Sequence, residues 1–309
     1  MTSFRIECIN DLAAAKTWWE RFSPRKTLYD IWEFRYCFYK PFQYELFFYV
    51  GYVGNEPIGL LALQYNSRHE LFEPFGGSFM SNIQVFCDEK HSKYVPNFYA
   101  AIPSPAVLTD IVGCDPFTMS LPFSNYRYIL DLTAIKSGEE YLEKCVNSKF
   151  RSNVKRRVKL MEETGIQVTR NNFTDIDKLI ELNLKTFPDS SFNKPHRPEI
   201  FRDLLRQNFN TELLSFSIDG KVVAVCLAFV FNGIYLNINM GADKSVSPHL
   251  WTYVTFYKLR HAIELGCRQF DSGMEDCSWK EHWGHGKLPE YKFYKPAVVT
   301  LPQPTTTTV

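Results

Sequence analysis

Residues 233–284, which read GIYLNINMGADKSVSPHLWTYVTFYKLRHAIELGCRQFDSGMEDCSWKEHWG, decide the fold that the sequence predicts. Ile234–Met240 alternates large apolar and polar residues, which predicts a strand. The turn-rich loop Gly241–Pro248 precedes a segment with apolar residues at helical spacing: Trp251, Val254, Leu259, Ile263 and Leu265. Gly266 has the position of a helix C-cap, and Cys267–Asp271 predicts a second strand. This order predicts a site for a phosphate-bearing ligand, because the first N–H groups of a helix lack internal partners and point at an anion.

The composition of the chain indicates a globular protein. Of its 309 residues 45% are hydrophobic, enough for one large core or two of ordinary size, and we expect two domains. The net charge of +1 gives no argument for a nucleic-acid partner. The N-terminus lacks the pattern of a signal peptide, and the longest apolar run, Val222–Phe231, is too short to cross a membrane. Together with the missing signal, eight cysteines without a CxxC pair predict reduced, buried thiols in a cytoplasmic protein. Because the apolar run is short, we expect no membrane partner.

Two stretches of the chain predict the same β-hairpin. Residues 46–65 contain a strand, the turn Gly54–Glu56 and a second strand. Residues 213–231 repeat this order around Asp219–Lys221, about 165 positions later. Chance similarity and duplication both explain one repeated hairpin, and the even division of the chain favours duplication.

The second half of the chain predicts a mixed α/β domain with helices on a largely antiparallel sheet. Ahead of the second hairpin we expect a helix at Gly138–Met161, a strand at Ile166–Thr169 and helices at Asp175–Thr186 and Phe201–Phe209. The proline-broken loop Pro188–Pro198 is typical of a segment that lines a substrate entrance.

The helix expected at Gly138–Met161 has one apolar seam, formed by Phe150, Val154, Val158 and Met161. Its other faces carry six cations within eleven positions: Lys149, Arg151, Lys155, Arg156, Arg157 and Lys159. Two interpretations stay open, a solvated surface and a site for anionic groups such as phosphates. A nucleic-acid partner is possible but not favoured, because no aromatic residue other than Phe150 is interleaved with the cations.

Four motifs occur in one order along the second half of the chain. They are KFRSNVKRR at 149–157, LSFSIDGKVVAVCLAFVFNGIYLN at 214–237, Ser247-Pro248 before the helix that ends Glu264-Leu265-Gly266, and FDSGMEDCSWKEHWG at 270–284. With these motifs Tyr141–Pro296 resembles the acyltransferase domain of the CelD-like proteins. That group is a branch of the GNAT N-acetyltransferase superfamily close to the Fem-type aminoacyltransferases. The first half resembles, by arrangement only, the degenerate GNAT-like repeat that precedes this domain.

The resemblance implies an α/β (α+β) fold with tandem GNAT-like domains, each a mixed, largely antiparallel sheet flanked by helices. Residues 1–132 would be the degenerate domain and residues 133–300 the acyltransferase domain. Residues 301–309, which are rich in threonine and proline, predict a disordered tail.

The implied reaction is transfer of an acyl or aminoacyl group from acyl-CoA, such as acetyl-CoA, or from aminoacyl-tRNA to an amine of a small molecule or peptide. A positioned amine attacks the carbonyl directly, a backbone N–H stabilises the oxyanion, and a base takes the ammonium proton. Two alternatives remain: a non-catalytic GNAT-like binding module, and an enzyme that acts on an amine of a nucleic-acid base. The sequence does not predict an oligomeric state.

The candidate catalytic residues lie at the ends of the two predicted strands. A backbone N–H within Asn239–Gly241 would stabilise the oxyanion. Asp271, Glu275 or Asp276 would be the base, although Asp271 is equally suited to capping or bridging the loop. Lys280 would bind a substrate carboxylate or phosphate, or pair with Asp276.

The candidate donor-binding residues surround the start of the predicted helix: Met240, Gly241, Ser247, Pro248, His249, Leu250 and Trp251, together with Arg156 of the basic segment. His249 has the position that is usually glycine in the family, so the loop cannot approach a pyrophosphate as closely as glycine allows. Asp276, Cys277, His282 and His285 match no standard zinc spacing, and we expect no metal.

Overall fold

A computed structural model describes residues 3–274 and 278–297 of the chain. The described residues divide into two compact units. Unit 1 lies within Met1–Pro24, Phe38–Ser124 and Glu290–Val309, and unit 2 within Arg25–Cys37 and Asn125–Pro289. The domain boundary expected at residue 132 stays a prediction.

Unit 1 contains a mixed sheet with helices packed on it. Its strands are β1 (Phe4–Ile9), β2 (Glu45–Val53), β3 (Glu56–Asn66), β4 (Leu71–Pro74), β5 (Phe86–Cys87), β6 (Ala106–Ile111) and, from Glu290 onward, β13 (Gly286–Lys295). The strand order is β1-β2-β3-β4-β6-β13, with β5 pairing β3. Neighbouring strands are antiparallel except β4 and β6. Its helices are α1 (Leu12–Phe22), α3 (Val95–Ala101) and α4 (Pro116–Ser120).

Unit 2 contains the second mixed sheet. Its strands are β7 (Phe123–Asp131, from Asn125 onward), β8 (Gln167–Arg170), β9 (Thr211–Ile218), β10 (Lys221–Phe231), β11 (Ile234–Ala242) and β12 (Gln269–Asp271). The strand order is β8-β9-β10-β11-β12-β7, and only β11 and β12 among these pairs are parallel. Its helices are α2 (Trp32–Tyr39, up to Cys37), α5 (Gly138–Lys144), α6 (Ser148–Glu162), α7 (Ile176–Thr186), α8 (Arg197–Leu205), α9 (Leu250–Glu264) and α10 (Ser278–His282).

The two sheets have the same topology. In each, three successive antiparallel pairs are followed by one parallel pair and one more antiparallel pair. The parallel strands are connected through α3 in unit 1 and through α9 in unit 2. The predicted tandem α/β architecture, with a largely antiparallel mixed sheet in each unit, is confirmed, and the two predicted hairpins are β2–β3 and β9–β10.

Two of the predicted helices have different bounds in the structure. The single helix expected at Gly138–Met161 is wrong, because α5 and α6 are separate helices. The Asn147 side chain accepts a hydrogen bond from the Phe150 N–H at 2.9 Å, which caps α6 and starts a new helix. The helix expected at Phe201–Phe209 is α8, which begins four residues earlier with Pro198 in its first turn, where proline is tolerated.

The thiols only partly match the prediction of buried cysteines. Cys37, Cys226 and Cys267 are buried, whereas Cys8 and Cys114 are exposed. Cys8 lies on β1, at the edge of its sheet, and is exposed although alternation places it on the same side of the strand as the half-buried Phe4 and Ile6. An apolar sequence context therefore did not ensure burial at these two positions.

The core of unit 2 fixes α9 against the sheet. Val154 of α6, Leu259 of α9, Tyr235 of β11 and Phe270 of β12 belong to one buried cluster. The Tyr235 and Phe270 rings stack with their centroids 5.0 Å apart, so both side chains lie on the sheet face that α9 covers. No helix within residues 3–274 and 278–297 is long and apolar enough to cross a membrane.

Candidate active site

Strands β11 and β12 run side by side for three residue pairs and then separate. The last pair is Leu236 and Asp271, after which β12 ends while β11 continues to Ala242 beside β10. Asn237 and Ser272 are the first residues beyond that pair. We call these two residues, with the side chains that they bind, the fork.

A β-bulge at Ile238 changes the direction of the polar side chains on β11. Asn237 pairs with Ala228 and Asn239 with Leu227, so Ile238 is an extra residue on β11. Because a bulge interrupts the alternation of a strand, the two asparagines bind to different helices. Asn237 Oδ1 accepts a hydrogen bond from Lys258 of α9 at 3.0 Å, and Asn239 Oδ1 accepts one from Asn183 of α7 at 2.8 Å.

Asn183 connects the bulge to the loop that was predicted to line a substrate entrance. Its Nδ2 also donates to the Met240 carbonyl oxygen at 2.6 Å, and its Oδ1 accepts from Ser190 Oγ at 2.5 Å. The Met240 N–H, one of the oxyanion candidates, donates to Asn239 Oδ1 at 3.0 Å. The Asn239 side chain therefore already engages the Met240 N–H in the structure.

Lys258 is a buried cation on the α9 side of the fork. Only 4% of it is exposed, and Nζ donates to Asn237 Oδ1 at 3.0 Å and contacts Met240 Sδ at 3.5 Å. Burial lowers the pKa of Lys258, while the nearby Cys226 thiol acts in the opposite direction. The sequence interpretation missed this residue, although the spacing of four from Val254 places it in the buried stripe of α9.

Ser272 and His285 form a hydrogen-bonded pair on the other arm of the fork. Ser272 Oγ lies 2.7 Å from His285 Nε2, and His285 Nδ1 lies 3.0 Å from the Lys280 carbonyl oxygen. A carbonyl oxygen only accepts, so Nδ1 carries the proton and Nε2 accepts from the Ser272 hydroxyl. Burial lowers the pKa of His285 to about 4, although the Lys280 carbonyl bond and the Asp271 charge oppose this shift. The imidazole is therefore neutral at pH 7.

Asp271 is engaged on both of its oxygens. Oδ2 accepts from Arg127 Nε at 2.8 Å and from Arg127 Nη2, and Oδ1 accepts from the Gly273 N–H at 2.8 Å. Asp271 is 3% exposed and Arg127 6% exposed. A buried carboxylate that is paired in this way holds β12 to β7 and the following loop, which favours the bridging interpretation of Asp271 over that of a base.

Lys280 binds the backbone of the residues that directly follow β12. Its buried Nζ donates to the carbonyl oxygens of Ser272, at 3.1 Å, and Met274, and lies 4.9 Å from the centre of the Tyr128 ring. The Lys280 ammonium is therefore engaged by backbone carbonyl oxygens of the protein. Glu275 and Asp276, the other candidate bases, lie outside the described residues.

The predicted donor-binding residues lie at the start of α9. The His249 N–H donates to Ser247 Oγ at 3.1 Å, Leu250 is buried, and Pro248 is exposed. The Trp251 ring packs edge-on against Phe187 with the centroids 6.1 Å apart. Met240 and Gly241 precede this loop at the end of β11, so the predicted set is continuous along the chain from the bulge to the helix.

Arg157, rather than the predicted Arg156, lies beside the first turn of α9. Arg157 Nη1 donates to Thr252 Oγ1 at 3.0 Å, and its Nε donates to Asn153 Oδ1 at 3.1 Å. Arg156 is exposed and reaches Asn153 at 3.3 Å. The remaining cations of α6 include Lys155, which pairs with Glu139 at 2.7 Å, as expected for a solvated surface.

A separate groove of about 440 Å³ lies at the opposite end of β10 and β11. Leu28, Phe209 and Phe231 are among the residues around it. Phe231 pairs with the first residue of β11, three positions before Asn237. The groove shares no residue with the fork, so its volume gives no measure of the candidate site.

Comparison with protein families identifies the segment that contains most of these residues. Residues 148–281 match the family described as "Acetyltransferase (GNAT) domain". This segment is a GNAT domain. It begins at the first residue of α6 and includes the bulge, α9, Ser272 and Lys280.

Solved structures share the fold of the GNAT domain and of the remaining chain. FemX is 12% identical and superimposes with a TM-score of 0.63 over 94% of this chain and 97% of its own. L-PGS from Bacillus licheniformis is 11% identical, with a TM-score of 0.58 over 93% of this chain and 92% of its own. A tandem GNAT protein from the clavulanic acid biosynthesis pathway is 12% identical, with a TM-score of 0.53 over 96% of this chain and 100% of its own. No curated protein matches the sequence.

No group of three or more His, Cys, Asp or Glu side chains suited to a metal ion is found in residues 3–274 and 278–297 of the protein. Of the residues considered for a metal from the sequence, Asp276 and Cys277 lie outside these ranges. His285 binds Ser272 and the Lys280 carbonyl oxygen instead. These two contacts engage both ring nitrogens of His285.

The neutral imidazole of His285 predicts a specific loss of stability in acid. An unfolded imidazole takes up a proton below about pH 6.5, whereas the folded one stays neutral until about pH 4. The contribution of His285 to the free energy of unfolding is therefore retained above pH 6.5 and falls as the pH drops toward 4. The fall is about 2 kcal/mol between pH 7.5 and pH 5. The amide of His285→Asn can still donate to the Lys280 carbonyl. Between pH 7.5 and pH 5 the free energy of unfolding of this variant is expected to fall by about 2 kcal/mol less than that of the wild type, as measured by urea unfolding at the two pH values.

The control is His69→Asn, because His69 is an exposed histidine of unit 1, whereas His285 is buried in unit 2. This variant is expected to keep the slope of the wild-type protein. Equal slopes for the wild type and His285→Asn would mean that the imidazole is not held neutral in the folded state.

Proposed function

We propose that the chain is an N-acyltransferase that transfers an acyl or aminoacyl group to an amine by direct attack at the fork of unit 2. The observation that carries the proposal is the separation of β11 and β12 beside the start of α9, inside a GNAT domain. Parallel strands that separate leave room between them for an extended acyl chain, and the helix start suits an anion. The proposed enzyme acts in the cytoplasm, with residues 133–300 as the catalytic domain and residues 1–132 as its degenerate counterpart.

The proposed acyl donor is acyl-CoA, with acetyl-CoA as its simplest form. Its phosphates would lie at the first turn of α9, where Ser247, His249 and Arg157 supply hydrogen-bond donors or charge. Aminoacyl-tRNA is the second candidate donor. The resemblance to the Fem-type branch supports it, as does the shared fold with FemX along nearly the whole of both chains.

The proposed acceptor is an amine of a small molecule or peptide. It would enter beside the loop that contains Ser190 and Ser191, which the asparagines of α7 and β11 hold against the bulge. A free N–H of the bulge region, within Asn239–Gly241, would stabilise the oxyanion. Alignment of the amine with the donor carbonyl supplies much of the rate acceleration in such a reaction.

Arg157→Ala is expected to weaken acetyl-CoA binding by roughly 10- to 100-fold, because a charge-assisted hydrogen bond to a phosphate contributes roughly 1.5–3 kcal/mol. Acetyl-CoA at a hundred times its dissociation constant should stabilise the wild-type protein by about 2.7 kcal/mol. Isothermal titration calorimetry gives the affinity, and thermal unfolding with and without acetyl-CoA gives the stabilisation.

The matched control is Lys159→Ala, another cation of α6. Lys159 is exposed and lies 4.0 Å from Glu163, and its removal should change the affinity less than twofold. Stabilisation by aminoacyl-tRNA and not by acetyl-CoA would identify the second donor. Failure of both donors to stabilise the protein would contradict acyl transfer and favour a non-catalytic GNAT-like module.

A further inference from the structure

The side chain of Ser272 lies on the sheet face that α9 covers. Phe270, two residues earlier, stacks on Tyr235 within the core beneath α9, and successive side chains of a strand alternate between faces. Asp271 lies between them and binds Arg127 on the other face. Ser272 is half-buried, so its hydroxyl lies at the open end of the strand pair rather than in the core.

The imidazole of His285 is held in one orientation toward Ser272. The Lys280 carbonyl oxygen fixes Nδ1, and the Phe270 ring packs edge-on with its centroid 6.1 Å from that of the imidazole. The resulting order of groups is hydroxyl, imidazole and backbone carbonyl. A base that is itself oriented by a third group is the arrangement that activates a hydroxyl for proton transfer.

We propose that Ser272 and His285 form a proton relay for acyl transfer, an inference that rests on the proposed function. The amine nitrogen bonds to the donor carbonyl carbon and becomes an ammonium. Ser272 Oγ takes one proton from that nitrogen as its own proton passes to His285 Nε2. When the bond from carbon to sulfur (or to the ester oxygen) breaks, the relay returns the proton to the leaving atom. One N–H proton therefore becomes the proton of the leaving thiol or alcohol, and no other reactant is needed.

The charges around His285 suit a base that is protonated only briefly. The Lys280 ammonium of α10 and the Lys258 ammonium of α9 disfavour an imidazolium, and the Asp271 carboxylate of β12 partly offsets them. A proton that arrives at Nε2 is therefore passed on easily. Lys280 is the positioning residue, because its carbonyl orients the imidazole and its ammonium holds the Ser272 carbonyl.

The first test measures the relay without any substrate. In ¹⁵N-detected NMR of the full chain, the His285 ring, assigned by comparison with His285→Asn, is expected to be neutral at pH 6 with its proton on Nδ1. Ser272→Ala should shift the Nε2 resonance of His285, while Nδ1 keeps its proton and its hydrogen bond to the Lys280 carbonyl oxygen. A charged ring at pH 6, or an Nε2 signal that is the same in Ser272→Ala, would overturn the relay whether or not the protein transfers acyl groups.

The second test measures transfer with whichever donor stabilises the wild-type protein. Ser272→Ala is expected to lower kcat by about 10²- to 10⁴-fold, with KM for the donor and its thermal stabilisation unchanged. Ser272→Thr, which keeps a hydroxyl, should retain kcat within about tenfold, and His285→Asn should regain rate as pH rises and solvent takes the proton. The control is Ser120→Ala at an exposed position of unit 1, which is expected to match the wild type.

The outcomes separate the relay from the proposed function. If Ser272→Ala transfers within threefold of the wild type, the relay is wrong and acyl transfer stands. If the wild type binds donor but transfers to no amine, the proposed function fails and the relay fails with it. If Ser272→Ala lost donor stabilisation or folding together with activity, Ser272 would have a structural role and the relay would also be overturned. Ser272→Thr, which is expected to bind donor as the wild type does, controls for a folding defect at this position.

Discussion

Arg127→Met is expected to lower the free energy of unfolding by about 3–5 kcal/mol, because it leaves the Asp271 carboxylate buried without its cation. Arg127 donates to Asp271 through two nitrogens, and both side chains are less than a tenth exposed. The methionine fills much of the same volume, so the missing charge rather than a cavity dominates the effect. Urea unfolding of the full chain, followed by fluorescence, measures the loss.

The double variant Arg127→Met/Asp271→Asn tests that explanation. Its asparagine can still accept from the Gly273 N–H, and neither member of the former pair carries a charge, so it should recover about 2 kcal/mol of the loss. Arg206→Met breaks an exposed pair with Asp203, at 2.7 Å, and should cost less than about 0.5 kcal/mol. A double variant no more stable than Arg127→Met would contradict the unpaired-charge explanation.

The same double variant decides between the two interpretations of Asp271. A base removed from the fork should lower kcat by roughly 10²- to 10⁴-fold even where the protein is fully folded. A bridging residue should affect transfer only through the folded fraction. We expect the second result, because both oxygens of Asp271 already accept hydrogen bonds from the protein.

The sequence predicted the part of the fold that depends on local pattern. Alternation in Ile234–Met240, helical spacing in the following segment and Gly266 gave β11, α9 and the helix end, and Gly266 has the positive φ of +70° that such an end requires. The two hairpins were predicted for the same reason. Such patterns are contained within one short segment of sequence, so they can be recognised without knowing which distant residues the segment packs against.

The sixth strand of each sheet could not be predicted in this way. β13 pairs with β6 in unit 1, although Tyr291 and Ile111 are far apart in the sequence. Pairing at that distance depends on the whole topology and leaves no periodic signal in either strand. The break between α5 and α6 was readable in principle, because an asparagine followed by a helical segment is a start signal, but the continuous charged pattern concealed it.

The contacts within the candidate site could not be predicted from the sequence, and the roles of its residues stay predictions. The bulge at Ile238 has no sequence signature, yet it directs Asn237 to Lys258 and Asn239 to Asn183. Arg127 and Asp271 are 144 positions apart, so the sequence alone left Asp271 open between a base and a bridging residue. The tertiary fold decides which charged and polar side chains meet in a core. The hydrogen-bond partners of the site residues therefore could not be inferred from their positions in the sequence.

Gly241→Ala is expected to lower the free energy of unfolding by about 3 kcal/mol and the melting temperature by roughly 6–12 °C, since overpacking against a backbone lies at the upper end of such costs. A Cβ at this position would lie 2.5 Å from the Asn183 nitrogen and 2.8 Å from the Leu179 carbonyl oxygen, both backbone atoms of α7. Neither atom can move without shifting the helix. Calorimetry of the variant measures the loss of stability.

The shift of α7 should also weaken the bulge, because Asn183 holds both Asn239 and the Met240 carbonyl oxygen. Gly286→Ala is the matched control, a strand glycine whose added Cβ would meet its nearest neighbour, the Ile129 carbonyl oxygen, at an ordinary 3.6 Å. It should change the melting temperature by less than about 2 °C. If Gly241→Ala were as stable as Gly286→Ala, α7 would not be in contact with β11 at this point. The position of the loop at Ser190, and with it the proposed acceptor entrance, would then need another support.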